Sequence, residues 1–432
     1  MGRVARVGLM SGAVVTAVVV SGVLPAAAAV STTSVVSAAP DGANADNDSD
    51  TASVSSDGRY VAFASSATNL VAGDTNGQRD VFVRDMSTGT VVRVSVSSDE
   101  VEGDSSSGDP WISSDGRYVA FESSATSLVA GDTNSTTDIF VRDLTAGTTV
   151  RVSLDSDEVE GDSGSYDASI SADGRYVAFE SSASSLVAGD TNAIYDIFVR
   201  DLTAGTTVRV SVDSDEVEAN ADSYDASISS DGRFVAFESD ATNLVAGDTN
   251  STMDVFVRDL TGTTTVRVSV DSDEVVEGNN SSVDPSISAD GRFVAFESYA
   301  TNLVAGDTNG TYDVFTRDLT ATTTVRVSVN SLGVQGNFGS FDPSISADGR
   351  YVGFESAATN LTTVTDPPAD DCEAGDGPTY ADDTNCDFDV FIAGSPAELP
   401  PTGANPAGVV LVAVVLLGAG TCVLGLRRAR TA

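Results

Sequence analysis

The 432-residue chain contains no histidine, and all 22 of its basic residues are arginine, so it has no lysine either. Without histidine, the chain cannot assemble a Ser-His-Asp triad, a Cys-His dyad or a histidine-ligated zinc site. Without lysine, it cannot form a Schiff base with a carbonyl substrate. Any enzyme built from this chain would have to work with carboxylates, as glycosidases do.

Positive charge is scarce as well, because 22 arginines face 64 acidic residues and the formal net charge is −42. Such a surface does not bind nucleic acid or anionic membranes unaided. Most arginines recur at fixed places in a repeat, as Arg175, Arg200 and Arg209 do. We therefore predict that they form ion pairs within the scaffold rather than contacts with a ligand.

One repeated unit organises the chain. An Asp-Gly pair followed by Arg, an aromatic residue and Val returns at steps of 58 or 59 residues. Its aspartates are Asp57, Asp115, Asp173, Asp231, Asp290 and Asp348. Self-similarity at such a period is typical of architectures in which each unit is one supersecondary element.

Each repeat predicts four β-strands, which in the third repeat cover residues 167–171, 175–181, 196–202 and 206–213. The Asp-Gly pair between the first two strands favours a two-residue hairpin turn with positive φ. The second and third strands are apolar on both faces and must be covered on both sides. In the fourth, valine alternates with polar residues, which is typical of a half-exposed edge strand.

Four-stranded sheets packed face to face around an axis form a β-propeller, so six repeats predict an all-β, six-bladed propeller of antiparallel blades over residues 30–395. Three sequence motifs recur from repeat to repeat: Asp-Gly, Val-Ala-Phe and Asp-Val-Phe-Val-x-Asp-Leu. Together they resemble the TolB-like, WD-type propeller repeat. The resemblance covers about residues 33–394. It implies the fold, and not the role of any one member of that family.

The N-terminal residues 1–29 are typical of a secretory signal peptide. Arg3 and Arg6 precede an apolar run over residues 7–24, and four alanines follow as a cleavage site for a signal peptidase. An uncleaved membrane anchor is the alternative interpretation.

The two ends of the repeat region complement each other. Residues 33–38 read as a fourth strand with no first three strands before them, whereas the last repeat ends after its third strand, residues 389–392. We predict that the N-terminal strand completes the sixth blade and closes the ring, because closure removes open sheet edges.

The sixth repeat carries an insertion of about 18 residues between Leu361 and Asp383, rich in Pro, Asp and Gly. Cys372 and Cys386 lie in or beside it, while Cys422 lies in the apolar C-terminal stretch. In an exported protein, two nearby cysteines favour a disulfide over a metal site. We predict a Cys372–Cys386 disulfide that staples the insertion.

Residues 396–432 combine a short motif, an apolar segment over residues 407–426 and a basic tail containing Arg427, Arg428 and Arg430. Twenty apolar residues can span a bilayer, and the arginines favour a cytoplasmic end. The motif consists of Leu399, Pro400, Pro401, Thr402 and Gly403.

This arrangement resembles the LPxTG sorting signal of sortase substrates. The resemblance implies that a sortase cysteine thiolate attacks the Thr402 carbonyl and transfers the chain to an amine of peptidoglycan. The expected location is therefore the cell wall of a Gram-positive surface, with the membrane contacted only through the C-terminal segment before sorting.

The loop between the second and third strands of each repeat reads Asp-x-Asn-x-x-x-Asp. Alternating side-chain oxygens on a tight turn suit Ca²⁺, which takes six to eight oxygen ligands. Aspartate and asparagine also form turns by bonding their own backbone, so both interpretations stay open. The candidate metal ligands are Asp74, Asn76, Asp80, Asp132, Asn134, Asp138, Asp190, Asn192, Asp196, Asp248, Asn250, Asp254, Asp307, Asn309, Asp313, Asp383, Asn385 and Asp389.

These observations predict a secreted, cell-wall-anchored propeller that acts as a non-catalytic binding or surface-display module for a protein or glycan ligand. The alternative is a carbohydrate-acting enzyme that uses a carboxylate pair on the loop face. The two differ in whether a non-repeated Asp or Glu pair lies about 5 to 10 Å apart in a pocket at the mouth.

Overall fold

The computed structural model describes residues 34–274, 276–362 and 389–394, together with two short strands at residues 412–417 and 421–424. The described residues are arranged as consecutive antiparallel sheets, and none of them is helical.

The first blade contains β1 (Ser49–Val54), β2 (Tyr60–Ser65), β3 (Asp80–Asp85) and β4 (Val91–Arg93). The second contains β5 (Ser107–Ile112), β6 (Tyr118–Ser123), β7 (Asp138–Asp143) and β8 (Thr148–Arg151). The third contains β9 (Ser165–Ile170), β10 (Tyr176–Ser181), β11 (Asp196–Asp201) and β12 (Thr206–Arg209). The fourth contains β13 (Ser223–Ile228), β14 (Phe234–Ser239), β15 (Asp254–Asp259) and β16 (Thr264–Arg267).

The fifth blade contains β17 (Ser282–Ile287), β18 (Phe293–Ser298), β19 (Asp313–Asp318) and β20 (Thr323–Arg326). The sixth contains β21 (Ser340–Ile345), β22 (Tyr351–Ser356), β23 (Asp389–Gly394), β24 (Val412–Leu417) and β25 (Thr421–Leu424). Strands follow chain order within every sheet, and the first strands of successive blades lie against one another. The first strand is thus the innermost one, and the predicted all-β, six-bladed propeller of antiparallel blades is confirmed.

The core lies within and between the blades. Inside the third blade, Phe179 of β10 pairs with Phe198 of β11, and their ring centroids are 5.8 Å apart. Between the third and fourth blades, Val199 packs in one cluster with Ile228 and Phe237. Each fully buried side chain of this kind contributes about 1.5–3 kcal/mol, which explains why the second and third strands are apolar on both faces.

The Asp-Gly hairpin differs from the prediction of a two-residue turn. Ser171 and Tyr176 close a loop of four residues, and Gly174 has positive φ (+72°) whereas Asp173 does not. Side chains hold the loop: Asp173 Oδ1 accepts hydrogen bonds from Ser171 Oγ at 2.8 Å and from Arg175 N at 3.0 Å. The fourth strand is also shorter than predicted, since β12 ends at Arg209.

The closure of the sixth blade differs from the prediction as well. In this structure β24 pairs with β23, and β25 adds a fifth strand, whereas residues 34–38 form no strand. Ala38 makes an isolated bridge with Asn44 instead. Both the N-terminal stretch and β24 are rich in valine. Because β22 occupies one edge of β23, only one further strand can pair with β23, and in this structure that strand is β24. No helix within the described residues is long and apolar enough to cross a membrane.

The first blade is less covered than the second. Val54 of β1 is 56% exposed, whereas its equivalent Ile112 is 6% exposed because it packs on the preceding blade. The core of the first blade includes Val36 and Ala45, and the described residues of that cluster contain none from the sixth blade. Five of the six blade-to-blade cores are therefore formed in the described part of the chain.

Candidate functional site

Several residues predicted from the sequence lie outside the described residues. They are the signal peptide (residues 1–29), Cys372, Cys386, Asp383, Asn385 and the sorting motif (residues 399–403). For these the sequence interpretation stays a prediction.

The Asp-x-Asn loops of the first five blades each surround an arginine from the fourth strand. In the third blade, Arg209 Nη1 lies 3.5 Å from Asp190 Oδ1, 3.4 Å from Asp196 Oδ2 and 2.9 Å from Glu218 Oε2. Asp196 is fully buried, and burial raises its pKa to about 6 against the opposing effects of Ser211 and Arg209. At neutral pH the carboxylates and the guanidinium therefore form a buried network of opposite charges.

The pairing of one arginine with both loop aspartates recurs in the other four of these blades, with Arg93, Arg151, Arg267 and Arg326 in the place of Arg209. Each of these arginines lies 3.1–3.3 Å from the last aspartate of its loop, namely Asp80, Asp138, Asp254 and Asp313. Each lies 3.2–3.5 Å from the first aspartate, namely Asp74, Asp132, Asp248 and Asp307.

As they stand, these loop residues do not fit a calcium ion. The position between the two carboxylates is taken by a guanidinium, so a divalent cation would have to displace the arginine. The asparagine oxygen is also engaged, because Asn76 Oδ1 accepts a hydrogen bond from Gln78 N at 2.9 Å. Asn76 Nδ2 donates to Gly103 O at 3.0 Å. The geometry supports the interpretation of these residues as turn formers.

Most of the remaining repeated arginines form the predicted scaffold ion pairs, whereas Arg84 donates to the backbone carbonyls of Val36 and Ala38. Arg175 donates to both carboxylate oxygens of Asp201, at 2.9 and 2.7 Å, and this pairing lowers the pKa of Asp201 to about 2. Arg200 reaches across to the preceding blade and donates to Glu158 Oε1 at 2.5 Å. These arginines are therefore engaged within the scaffold.

A second group of acids, not predicted as a site from the sequence, lies along the innermost strands. Each glutamate comes from the second strand of one blade and accepts a hydrogen bond from the backbone N–H of an aspartate in the first strand of the next. Asp167 N donates to Glu122 at 2.7 Å, and Asp284 N donates to Glu238 at 2.8 Å. We call the group the inner-strand carboxylates; its members are Glu122, Asp167, Glu180, Asp225, Glu238, Asp284, Glu297 and Asp342.

The backbone presents these aspartates in an unusual conformation. Asp167, Asp225, Asp284 and Asp342 have φ values of 48–51°, in the left-handed region. Each lies at a bulge where the pairing of the first and second strands shifts. Strained backbone of this kind is concentrated at functional sites.

The electrostatics of the inner-strand carboxylates differ from those of the loops. No ion pair between them and an arginine occurs in the described part of the chain. Burial, reinforced by neighbouring carboxylates, raises the pKa of Glu180 and Glu297 to about 8, and burial raises that of Glu122 to about 7. These groups therefore hold protons near neutral pH or require a cation beside them.

Three inner-strand carboxylates come especially close together. Ligand oxygens of Asp225, Glu238 and Asp284 all lie within 4.8 Å of one another. Burial and the neighbouring carboxylates raise the pKa of both Asp225 and Glu238. Among the described residues, this is the cluster whose donor set could hold a metal ion.

Similarity to known proteins is found among solved structures. No protein-family model and no curated protein matches the sequence. Among solved structures, the chain is similar to TolB from Acinetobacter baumannii, with 18% identity and a TM-score of 0.38, over 66% of this chain and 58% of TolB. It is similar to a putative TolB from Agrobacterium tumefaciens, with 17% identity and a TM-score of 0.41, over 70% and 87% of the two chains.

An oligogalacturonate lyase solved in complex with manganese is similar over 86% of both chains, with 12% identity and a TM-score of 0.45. The neighbours thus include TolB-like propellers and an enzyme. At these identities the likeness concerns the fold alone.

Proposed function

We propose that this protein is an exported, cell-wall-anchored β-propeller that acts as a non-catalytic binding module for cationic ligands. Export and anchoring are supported by the signal-peptide pattern and by the order of the LPPTG motif, apolar segment and arginine tail. Sortase and peptidoglycan are the partners that this part of the proposal implies.

The proposed binding role rests on the contrast between the acids of the Asp-x-Asn loops and the inner-strand carboxylates. The loop acids surround an arginine; Arg209, for example, lies between Asp190 and Asp196. The inner-strand carboxylates have no such partner in the described residues, although they are drawn together along the innermost strands. A cation beside these acids favours their charged form, so a group of acids without a counter-charge favours ligands of positive charge.

In this proposal, calcium binds at the inner-strand carboxylates rather than at the Asp-x-Asn loops. The cluster of Asp225, Glu238 and Asp284 offers carboxylate oxygens without a competing guanidinium. A divalent cation there would offset the mutual repulsion of the three groups.

A carbohydrate-acting enzyme is the second candidate, favoured by one observation. The pKa of Glu180 is raised to about 8 beside Asp225, whose pKa is raised less far, and two carboxyl groups with separated pKa values can serve as acid and base. The same Glu-to-Asp arrangement recurs from blade to blade, however, which is typical of a scaffold rather than of one active site.

Anchoring is tested with a Thr402→Ala variant in the native host. We expect the parent protein in the fraction released by wall-degrading enzymes, and the variant in the membrane fraction and the medium. Equal amounts of both proteins in the wall fraction would contradict anchoring through the motif.

Binding is tested by fluorescence anisotropy with a labelled oligoarginine peptide at two salt concentrations. The variant Asp167→Asn/Asp225→Asn/Asp284→Asn removes three inner-strand charges, and asparagine tolerates positive φ. Its matched control, Asp99→Asn/Asp157→Asn/Asp215→Asn, removes three charges from exposed turns. We expect the first variant to bind about tenfold more weakly, by about 1.4 kcal/mol, and the control to bind like the parent. Equal weakening would show that only total charge matters.

A further inference from the structure

The only tryptophan of the chain breaks the repeat on an innermost strand. Other blades have serine in its place, and that serine links two blades. Ser53 Oγ accepts a hydrogen bond from Ile112 N at 3.1 Å, and Ser169 Oγ accepts one from Ile228 N at 3.2 Å. Trp111 cannot accept such a bond, and its side chain is 50% exposed. A position that gives up a stabilising contact and exposes an indole ring is a candidate for function.

Trp111 faces a cavity of about 230 Å³. The cavity lies at the inner strands β1, β5 and β9, and its lining consists of Thr51, Ala52, Ser53, Asp109, Pro110, Trp111, Asp167 and Ala168. An aromatic face and two carboxylates therefore share one small space.

The charges around the cavity do not balance. Arg79, an arginine outside the repeat pattern, is ion-paired with Asp50 and lies 4.0 Å from Asp109 Oδ2. Asp167 has no ion-pair partner among the described residues, and burial together with the charge of Asp109 raises its pKa. Glu122 accepts the Asp167 N–H directly behind it. Two carboxylates, Asp109 and Asp167, thus line the cavity, and the arginine near them is already paired with Asp50, so the cavity favours a positively charged guest.

We propose that this cavity binds a small alkylammonium group, with the cation over the indole face of Trp111 and beside the carboxylate of Asp167. Tryptophan is the best aromatic partner for such cations, and quaternary ammonium groups are recognised in this way. A neutral sugar could stack on the indole but would leave the excess of carboxylates uncompensated. The proposal rests on the binding role proposed above and specifies the chemical class of one ligand.

Trp111 also provides the measurement, because its fluorescence is the only tryptophan signal in the chain. The purified full-length protein is titrated with choline, with its uncharged isostere dimethylbutanol, with a lysine amide and with glucose, all at constant ionic strength. We expect a saturable change with choline and an affinity at least about tenfold higher than for the isostere. The lysine amide distinguishes a free alkylammonium ligand from a lysine side chain on a peptide.

Two variants locate the site. Asp167→Asn is expected to weaken choline binding about tenfold, whereas Asp157→Asn, on an exposed turn, should leave it unchanged. Trp111→Ser installs the residue that the other blades carry, so it should fold, and calorimetry should show that choline binding is lost.

An equal response to choline and to its isostere, a response to glucose alone, or no saturable response would each overturn the inference. If oligoarginine still binds through the inner-strand carboxylates in that case, the proposed function survives. If neither ligand class binds, both proposals fail.

Discussion

The ring of Tyr118 occupies the space that a side chain at Gly174 would need: a Cβ added to Gly174 would lie 2.1 Å from Cδ2 of Tyr118. The guanidinium of Arg117 lies over the same ring, 4.6 Å from its centroid. Arginine, aromatic ring and glycine thus form a stack that joins the second blade to the third. The turn glycine is required both by its positive φ and by the neighbouring blade.

Gly174→Ala is expected to lower the free energy of unfolding by about 2–4 kcal/mol, because it adds left-handed strain to a steric clash. Gly58→Ala is the matched control, since Gly58 has φ of +70° but nothing within 4 Å of an added Cβ. It should cost only about 1–2 kcal/mol. Chemical denaturation of both variants provides the measurement. Equal losses would contradict the view that the ring of Tyr118 adds to the cost of the substitution.

Arg209→Gln is expected to destabilise the fold by about 3–5 kcal/mol, because it leaves three neighbouring carboxylates without their counter-charge. Ca²⁺ should restore part of this loss, since the vacated position then offers only oxygen ligands. Melting temperatures of the parent and the variant are compared in Ca²⁺, in Mg²⁺ at matched ionic strength, and in chelator. A calcium gain no larger in the variant than in the parent would contradict the view that arginine occupies the cation position.

The inner-strand carboxylates predict an unusual dependence of stability on pH. The pKa of Glu180 is raised from 4.5 to about 8 in the folded state, so the folded state binds this proton more tightly than the unfolded state does. Stability should therefore fall as pH rises from about 4.5 to 8. The pKa of Asp201 is lowered to about 2 in the folded state, so its contribution has the opposite sign. Stability should fall as pH drops below about 4.

Glu180→Gln should reduce the loss of stability between pH 5 and pH 8 by roughly 1–3 kcal/mol. Glutamine keeps an oxygen that can accept the Asp225 N–H. Urea denaturation at several pH values measures the effect, with Asp157→Asn on an exposed turn as the control. A variant with the slope of the parent would rule out Glu180 as a source of the dependence.

The predicted disulfide between Cys372 and Cys386 can be tested by thiol counting. We expect the denatured, unreduced protein to react with maleimide at Cys422 alone, and the reduced protein to react at all three cysteines. Mass spectrometry gives the count. Three reactive thiols before reduction would refute the disulfide.

The second and third strands could be predicted closely from the sequence because their signal is local. β10 and β11 begin and end within a residue of the predicted bounds, since both of their faces are apolar. The hairpin could not be predicted from Asp173-Gly174 alone, because the Ser171 hydroxyl and the Asp173 carboxylate together stabilise a longer loop.

The candidate site depended on contacts between distant residues. Arg209 reaches Asp190 only because the fourth strand folds back beside the loop. Glu180 meets the Asp225 backbone across a blade boundary and 45 residues away. The sequence did contain a signal for this site: a glutamate recurs after Val-Ala-Phe in the second strand, and an aspartate recurs in the first strand. Only the staggered arrangement of successive blades brings those two positions together.

The stack formed by arginine, aromatic ring and glycine also bears on how the gene can change. Tyr118 packs on Gly174 as Tyr176 packs on Gly232, and a Cβ added to either glycine would lie 2.1 Å from the ring. Excising the DNA for one 58-residue unit, from Asp173 to the residue before Asp231, would join Tyr118 to the glycine after Asp231 in a junction of the same kind. Unequal recombination between repeats can therefore add or remove a whole blade while every remaining boundary keeps its partners, so closely related strains are expected to carry alleles that differ in length by multiples of one repeat.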